Sequence, residues 1–236
     1  MAFWKRQLYQ WHRWLGIVIG LLVLLWFGSG IVMVYVPYPE LTEQERMGWL
    51  AFAGGAFDSD DLALDARALL RAHPGTLELE WRRVAGTLYL SALGREGRTL
   101  VNARDGSALA SLPQAVLLRA AQAMRPGAAL ETALLTEADD YFYSHHREAA
   151  FPVLRARFAL PDAPVFYLDP AQGRLAGHVD RDSRWNRWLF NGLHQLDFAF
   201  LRTRSVWDVV VIVLCVLGFV LTFSGVVLGW RRLTKR

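Results

Sequence analysis

The chain has 236 residues, enough for one or two domains with cores of their own. Its single cysteine, Cys215, excludes a disulfide framework. The formal charge of +4 arises from basic ends that carry no acid; membrane topology explains this, and nucleic acid is not an expected partner.

Residues 1–14 form a basic tail with Lys5, Arg6 and Arg13. Residues 15–35 (LGIVIGLLVLLWFGSGIVMVY) carry no charge. As a helix they reach roughly 31 Å, against a hydrocarbon core of ~30 Å. The run exceeds the roughly 7–15 apolar residues of a signal peptide, and Ala51-Phe52-Ala53 lies too far beyond it for ordinary cleavage, so an uncleaved anchor is expected. Residues 36–57 read as a connector, opened by two helix-ending prolines, Pro37 and Pro39.

A first α+β unit is expected over residues 58–112. Asp58-Ser59-Asp60-Asp61 offers an N-cap, and Leu62, Ala66, Leu69 and Leu70 follow at helical spacing until Pro74-Gly75. Leu77, Leu79 and Trp81 alternate with Glu78, Glu80 and Arg82, the pattern of a half-buried strand. Further strands are expected at Leu88–Leu90, after an Ala85-Gly86 turn, and at Thr99–Ala103, before Asp105-Gly106. Residues 113–180 repeat the grammar: a helix from Pro113 to Met124, the stop Pro126-Gly127, then strands at 130–135, 153–160 and 165–168. Leu168-Asp169-Pro170-Ala171-Gln172-Gly173 aligns without gaps on Val101-Asn102-Ala103-Arg104-Asp105-Gly106. This predicts an internal duplication of a helix–strand–strand–strand unit, its second copy enlarged around Glu137 to Phe151.

Residues 181–205 hold an expected interfacial amphipathic helix, from Arg184 to Leu201. A second span occupies 206–230, with Val209–Leu228 free of charge, and residues 231–236 form a second basic tail. By the positive-inside rule both tails are cytoplasmic and the central domain is periplasmic, in a bacterial inner membrane. Gly16 and Gly20, with Gly225 and Gly229, form small-xxx-small pairs at similar depth, which predicts that the two spans pack together.

Five motifs in order give the chain a resemblance. They are His12-Arg13-Trp14-Leu15-Gly16, the hairpin Tyr167-Leu168-Asp169-Pro170 to Gly173, and Arg187-Trp188-Leu189. Leu193-His194-Gln195-Leu196-Asp197-Phe198 and the stretch from Trp207-Asp208 to Gly229-Trp230-Arg231-Arg232 complete them. The chain resembles the PepSY-associated transmembrane family of bacterial membrane proteins. That resemblance implies tandem PepSY-like α+β units with antiparallel strands between the two helices. Many members have four helices, and they include ferric-siderophore reductases that carry haem b between membrane histidines; two spans are present here.

His194 is the leading cofactor-binding candidate: Asn191, His194, Asp197 and Phe198 fall on one helix side at spacings of three and four, so that Asp197, one turn on, is expected to orient the imidazole. His12 is a second, at the opposite end of the first span and roughly 30 Å away, too far to share one haem within a protomer. His145 and His146, after Asp139-Asp140, are metal-ligand candidates. No nucleophile elbow, metalloprotease helix or phosphate loop is present. Two functions are expected from these residues and the resemblance. One is a binding or regulatory module that engages the bilayer and a membrane protein partner or a second copy. The other is a haem-linked redox component of iron and siderophore acquisition.

Overall fold

Apolar length decides the two ends of the chain. In a computed structural model describing residues 2–35, 43–57, 66–95, 97–143, 151–201 and 203–234, helix α1 runs Ala2–Tyr35 and helix α6 Arg204–Thr234. Arg6–Tyr35 and Ser205–Thr234 are long and apolar enough to cross a membrane. Both helices continue into the basic tails, α1 from Ala2 and α6 as far as Thr234, so α1 is roughly 51 Å long and outreaches the hydrocarbon core. The chain divides into two units. One holds α1 and the residues from Trp185 onward; the other holds most of what lies between.

The second unit is α+β. Strands β1 (Glu78–Val84), β2 (Thr87–Gly94), β3 (Gly97–Asn102) and β4 (Ala108–Leu109) form one antiparallel sheet in that order. Strands β5 (Leu130–Leu135), β6 (Val153–Phe158), β7 (Val165–Asp169) and β8 (Arg174–Val179) form the other. Each sheet thus has a fourth strand beyond the three expected. Two residues of β4 carry no readable alternation, and β8 is broken by a register shift opposite Tyr167/Leu168.

The duplicated hairpin is visible in its hydrogen bonds. Gly106 N donates to Asn102 O and Gly173 N to Asp169 O, both at 2.9 Å. The Asn102 side chain accepts from Arg104 N, and Asp169 from Ala171 N and Gln172 N, so each turn is closed by an Asx oxygen. Gly106 and Gly173 both take left-handed φ, +72° and +60°, which glycine adopts without a Cβ penalty.

The core lies where both sheets meet helix α4 (Gln114–Met124). Val116, Leu117, Ala120, Ala121 and Met124 recur at helical spacing and are all buried. They pack with Val84, Tyr89 and Leu100 of the first sheet and Leu154, Phe158, Phe166 and Leu168 of the second. Burying a leucine such as Leu117 stabilises by roughly 1.5–3 kcal/mol. Strand β7 is buried along its whole length, because Val165 and Tyr167 face a second cluster with Val153 and Val179.

Helix α2 (Glu43–Ala53) lies inside the stretch read as connector. Its sequence EQERMGWLAFA shows no clean apolar stripe, yet Phe52 is buried and the helix packs on α4. Its end docks on the β1–β2 turn, where Ala85 N and Gly86 N donate to Phe52 O and Ala53 O at 2.9 Å. A Cβ on Gly54 would lie 2.3 Å from Gly86 N, so only glycine permits that approach. Helix α3 spans Ala66–Ala72; the expected cap at Asp58 to Asp61 lies outside the described residues.

Helix α5 (Arg181–Asn186) starts where Asp180 accepts Ser183 N at 2.7 Å. The expected regular helix does not continue from it. Residues Arg187–His194 wind as a π-helix, closed by Gln195 N donating to Phe190 O, and a single 3-10 turn follows at Ala199–Leu201.

Candidate functional site

Two serines inside otherwise apolar helices organise the membrane unit. Ser29 of α1 lies 3.0 Å from His194 Nδ1, and Ser224 of α6 lies 2.8 Å from His12 Nδ1. Each hydroxyl also lies within hydrogen-bond distance of a carbonyl in its own helix, Ser29 of Trp26 O at 3.0 Å and Ser224 of Leu221 O at 2.9 Å. The direction of each serine–histidine bond follows the imidazole tautomer; with Nδ1 as the donor, Nε2 of the neutral ring keeps its lone pair. That is the state in which a histidine ligates a metal or accepts a hydroxyl proton.

His194 is held from three more directions. Trp26 Nε1 donates to its carbonyl at 2.5 Å. The Phe190 ring stacks at 6.2 Å and the Trp26 ring lies tilted at 6.1 Å. A Cβ on Gly30 would sit 3.8 Å from His194 Cε1, so that glycine leaves room for the ring.

Asp197 does something other than orient His194. π-Winding and a left-handed Leu196 (φ +55°) turn the chain, so the expected spacing of three and four along one helix face is lost. The Asp197 carboxylate lies 3.3 Å from Arg187 Nη2, which also donates to Asp197 O at 3.0 Å. Both residues are buried, 5% and 1% exposed. A guanidinium and a carboxylate this desolvated stabilise each other, because opposite charge at close range offsets the cost of leaving water. Leucine at positive φ is itself strained and persists only where its surroundings enforce it.

The turn closes a cavity of about 330 Å³ lined by Trp26, His194, Gln195, Leu196, Asp197, Trp207, Val211 and Leu214. Trp207 Nε1 donates to Gln195 O at 3.0 Å, so its ring forms a wall. An apolar cavity of about 300 Å³ adjoins it, sharing Trp26, Leu196 and Leu214.

The two spans do pack, though not glycine on glycine. The Gly16 position meets Leu221 at 3.6 Å and the Gly225 position meets His12 Cε1 at 3.3 Å, whereas Gly20 and Gly229 have no neighbour within 4 Å. His12 and His194 stand at opposite ends of α1: Ser29, the partner of His194, is 17 residues from His12, roughly 26 Å along the axis.

His145 and His146 lie outside the described residues. The acid before them is structural: Asp139 accepts Tyr141 N, Phe142 N and the Tyr167 hydroxyl at 2.7–2.9 Å, with Arg155 at 3.5 Å. Burial, then the Asp139 charge, holds the Tyr167 phenol well above its usual range. Among the described residues no three His, Cys, Asp or Glu side chains gather.

The α+β unit has its own concavity, a groove of about 680 Å³ at the C-terminal end of α4. Met47, Gly48 and Ala51 of α2 line one side; Ala123–Ala129, Ala159 and Leu160 line the rest. Arg125, 8% exposed, lies over the Phe166 ring at 5.5 Å, and its Nη1 donates to Met124 O at 2.9 Å. A Cβ on Gly48 would come within 2.8 Å of that Nη1.

The family model described as the PepSY-associated TM region matches residues 9–236. No curated protein and no solved structure matches the chain.

Proposed function

Since the chain belongs to the PepSY-associated transmembrane family, we propose that this membrane protein is an anchored binding or regulatory module. Its two-sheet domain is periplasmic and captures a carboxylate-bearing segment of a partner. The two helices hold it in the bacterial inner membrane, tails in the cytoplasm, and engage a membrane partner.

One observation carries this reading: the Arg125 groove. Its walls are mostly glycine and alanine, which lets a partner's main chain approach closely. The guanidinium, stacked on Phe166 and tied to Met124 O, adds positive charge at the groove, which favours an acidic partner segment. In-cell photocrosslinking from Ala128 of the full chain tests it. A partner captured there, missed from Arg174 and lost on Arg125→Gln supports the groove; equal capture from both positions removes the reading.

The haem-linked reading, ferric-siderophore reduction, has one observation in its favour: both imidazoles present Nε2 with Nδ1 bound to serine. One protomer still does not fit a bis-histidine haem, because the two rings stand at opposite ends of α1. A haem at either end takes its second ligand from another chain or has none. A reduced-minus-oxidised haem spectrum that disappears in His194→Ala would establish this reading.

A further inference from the structure

Helix α2 is apolar on two opposite sides. Gly48 and Phe52, one turn apart, face α4 and the core. Leu50 lies two residues from each, about 200° round the helix, and is 62% exposed. Trp49 beside it is exposed, as is Arg46, four residues earlier on the side of Leu50. Phe57, four residues beyond the end of α2, is exposed too, with the Arg83 guanidinium 5.7 Å from its ring centre. Besides Met47 in the groove, the other large apolar side chains exposed among the described residues of this unit are scattered: Leu70 on α3, Leu77 before β1 and Leu134 on β5.

Apolar side chains gathered on one helix face mark a surface that something covers. Helix α1, long and apolar enough to cross the membrane, ends at Tyr35, and α2 starts at Glu43. The eight steps of chain between them reach at most roughly 29 Å, so α2 is tethered within that distance of the end of a span. Such a tether gives the bilayer surface a standing effective concentration that a diffusing partner lacks. Size points the same way. A helix of 11 residues is roughly 16 Å long and about 10 Å wide, a footprint of roughly 160 Å², against ~800 Å² per side of a stable protein–protein interface. So does chemistry: an indole beside an aliphatic side chain, edged by guanidinium groups, suits the membrane–water interface, where rings enter the headgroup layer and cations meet phosphate.

We propose that the face of α2 bearing Trp49 and Leu50, with Phe57, docks on the bilayer surface, its apolar side chains entering the headgroup layer. The occupant is lipid, and the assignment does not depend on what the Arg125 groove binds, so the two can fail separately.

The test places an environment-sensitive NBD fluorophore on Leu50→Cys of the full chain in a Cys215→Ser background. The protein is reconstituted alone in phosphatidylcholine nanodiscs, with and without a nitroxide-labelled lipid. The same fluorophore on Leu134→Cys, 57% exposed and remote in sequence from α2, is the control. Emission from position 50 should be blue-shifted and quenched by the nitroxide lipid several-fold more strongly than emission from position 134. Trp49→Glu should reduce the quenching to the level at 134, whereas Trp49→Phe should retain most of it. A monodisperse sizing peak and an unchanged thermal midpoint for each variant keep misfolding from imitating the result. Emission at 50 that is aqueous and unquenched, or quenching equal at both positions, overturns the proposal. So does quenching at 50 that Trp49→Glu leaves unchanged. A blue shift indifferent to the nitroxide lipid overturns it as well and assigns the face to a second copy of the chain.

Discussion

Ser29 Oγ and His194 Nδ1, 165 residues apart in the chain, meet at 3.0 Å. The contact ties the first span to the segment that leads into the second, and it gives the imidazole a fixed partner at Nδ1. Replacing Ser29 with alanine leaves Nδ1 without that partner. The variant should lose about 1 kcal/mol of stability, and ring ¹⁵N shifts should move from one tautomer toward a mixture. Unchanged shifts would show that the hydrogen bond does not set the proton.

Arg187 and Asp197 should behave as a unit. Arg187→Met or Asp197→Asn alone should cost about 3–5 kcal/mol, because each strands its buried partner. The double variant Arg187→Met/Asp197→Leu should recover most of the loss. Denaturation of the detergent-solubilised protein measures the cycle; additive losses would mean that the two side chains are energetically independent.

Gly48→Ala separates stability from binding. Its Cβ would meet only the far end of the Arg125 side chain closely, at 2.8 Å, and that end can shift. The thermal midpoint should change little, while crosslinking from Ala128 should fall. A large destabilisation would instead mean that Arg125 is locked in place.

Alkaline pH should expose Tyr167. Its folded pKa is raised by burial first and by Asp139 next, so the stability it contributes is complete below about pH 10. Above that pH the unfolded chain ionises while the folded phenol resists, and stability falls. Tyr167→Phe should flatten this decline; part will remain, since burial also raises Tyr89.

Orientation is open to a direct assay. In a Cys215→Ser background, Leu134→Cys, 57% exposed, should react with an impermeant maleimide on intact spheroplasts. Thr234→Cys should react only after lysis. The reverse pattern would invert the topology proposed above.

The sequence was most legible where one period ruled over a long stretch. The charge-free spans are apolar throughout and the α4 stripe from Val116 to Met124 keeps one helical spacing, and the structure retains both. Helix α2 escaped because its burial rests on Phe52 and a close approach at Gly54 rather than on a stripe. The site was half legible. His194 stood out as a polar residue near a span, and Arg187 lay within a quoted motif without a role. Ser29 and Ser224 were the signals passed over: isolated hydroxyls in apolar helices, which usually have partners on neighbouring helices. Asp197 was placed by helical spacing, and a π-winding with a left-handed leucine defeats that arithmetic.

The two serine–histidine bonds also set what the first span is able to transmit. His12 and Ser29, 17 residues apart, project about 100° from each other around α1. One faces α6 and the other faces the π-helical segment. Turning α1 about its own axis would break both bonds together, so axial rotation is locked. Tilting the pair of helices as one lever breaks neither. If this protein passes a signal through the bilayer, it does so by leaning.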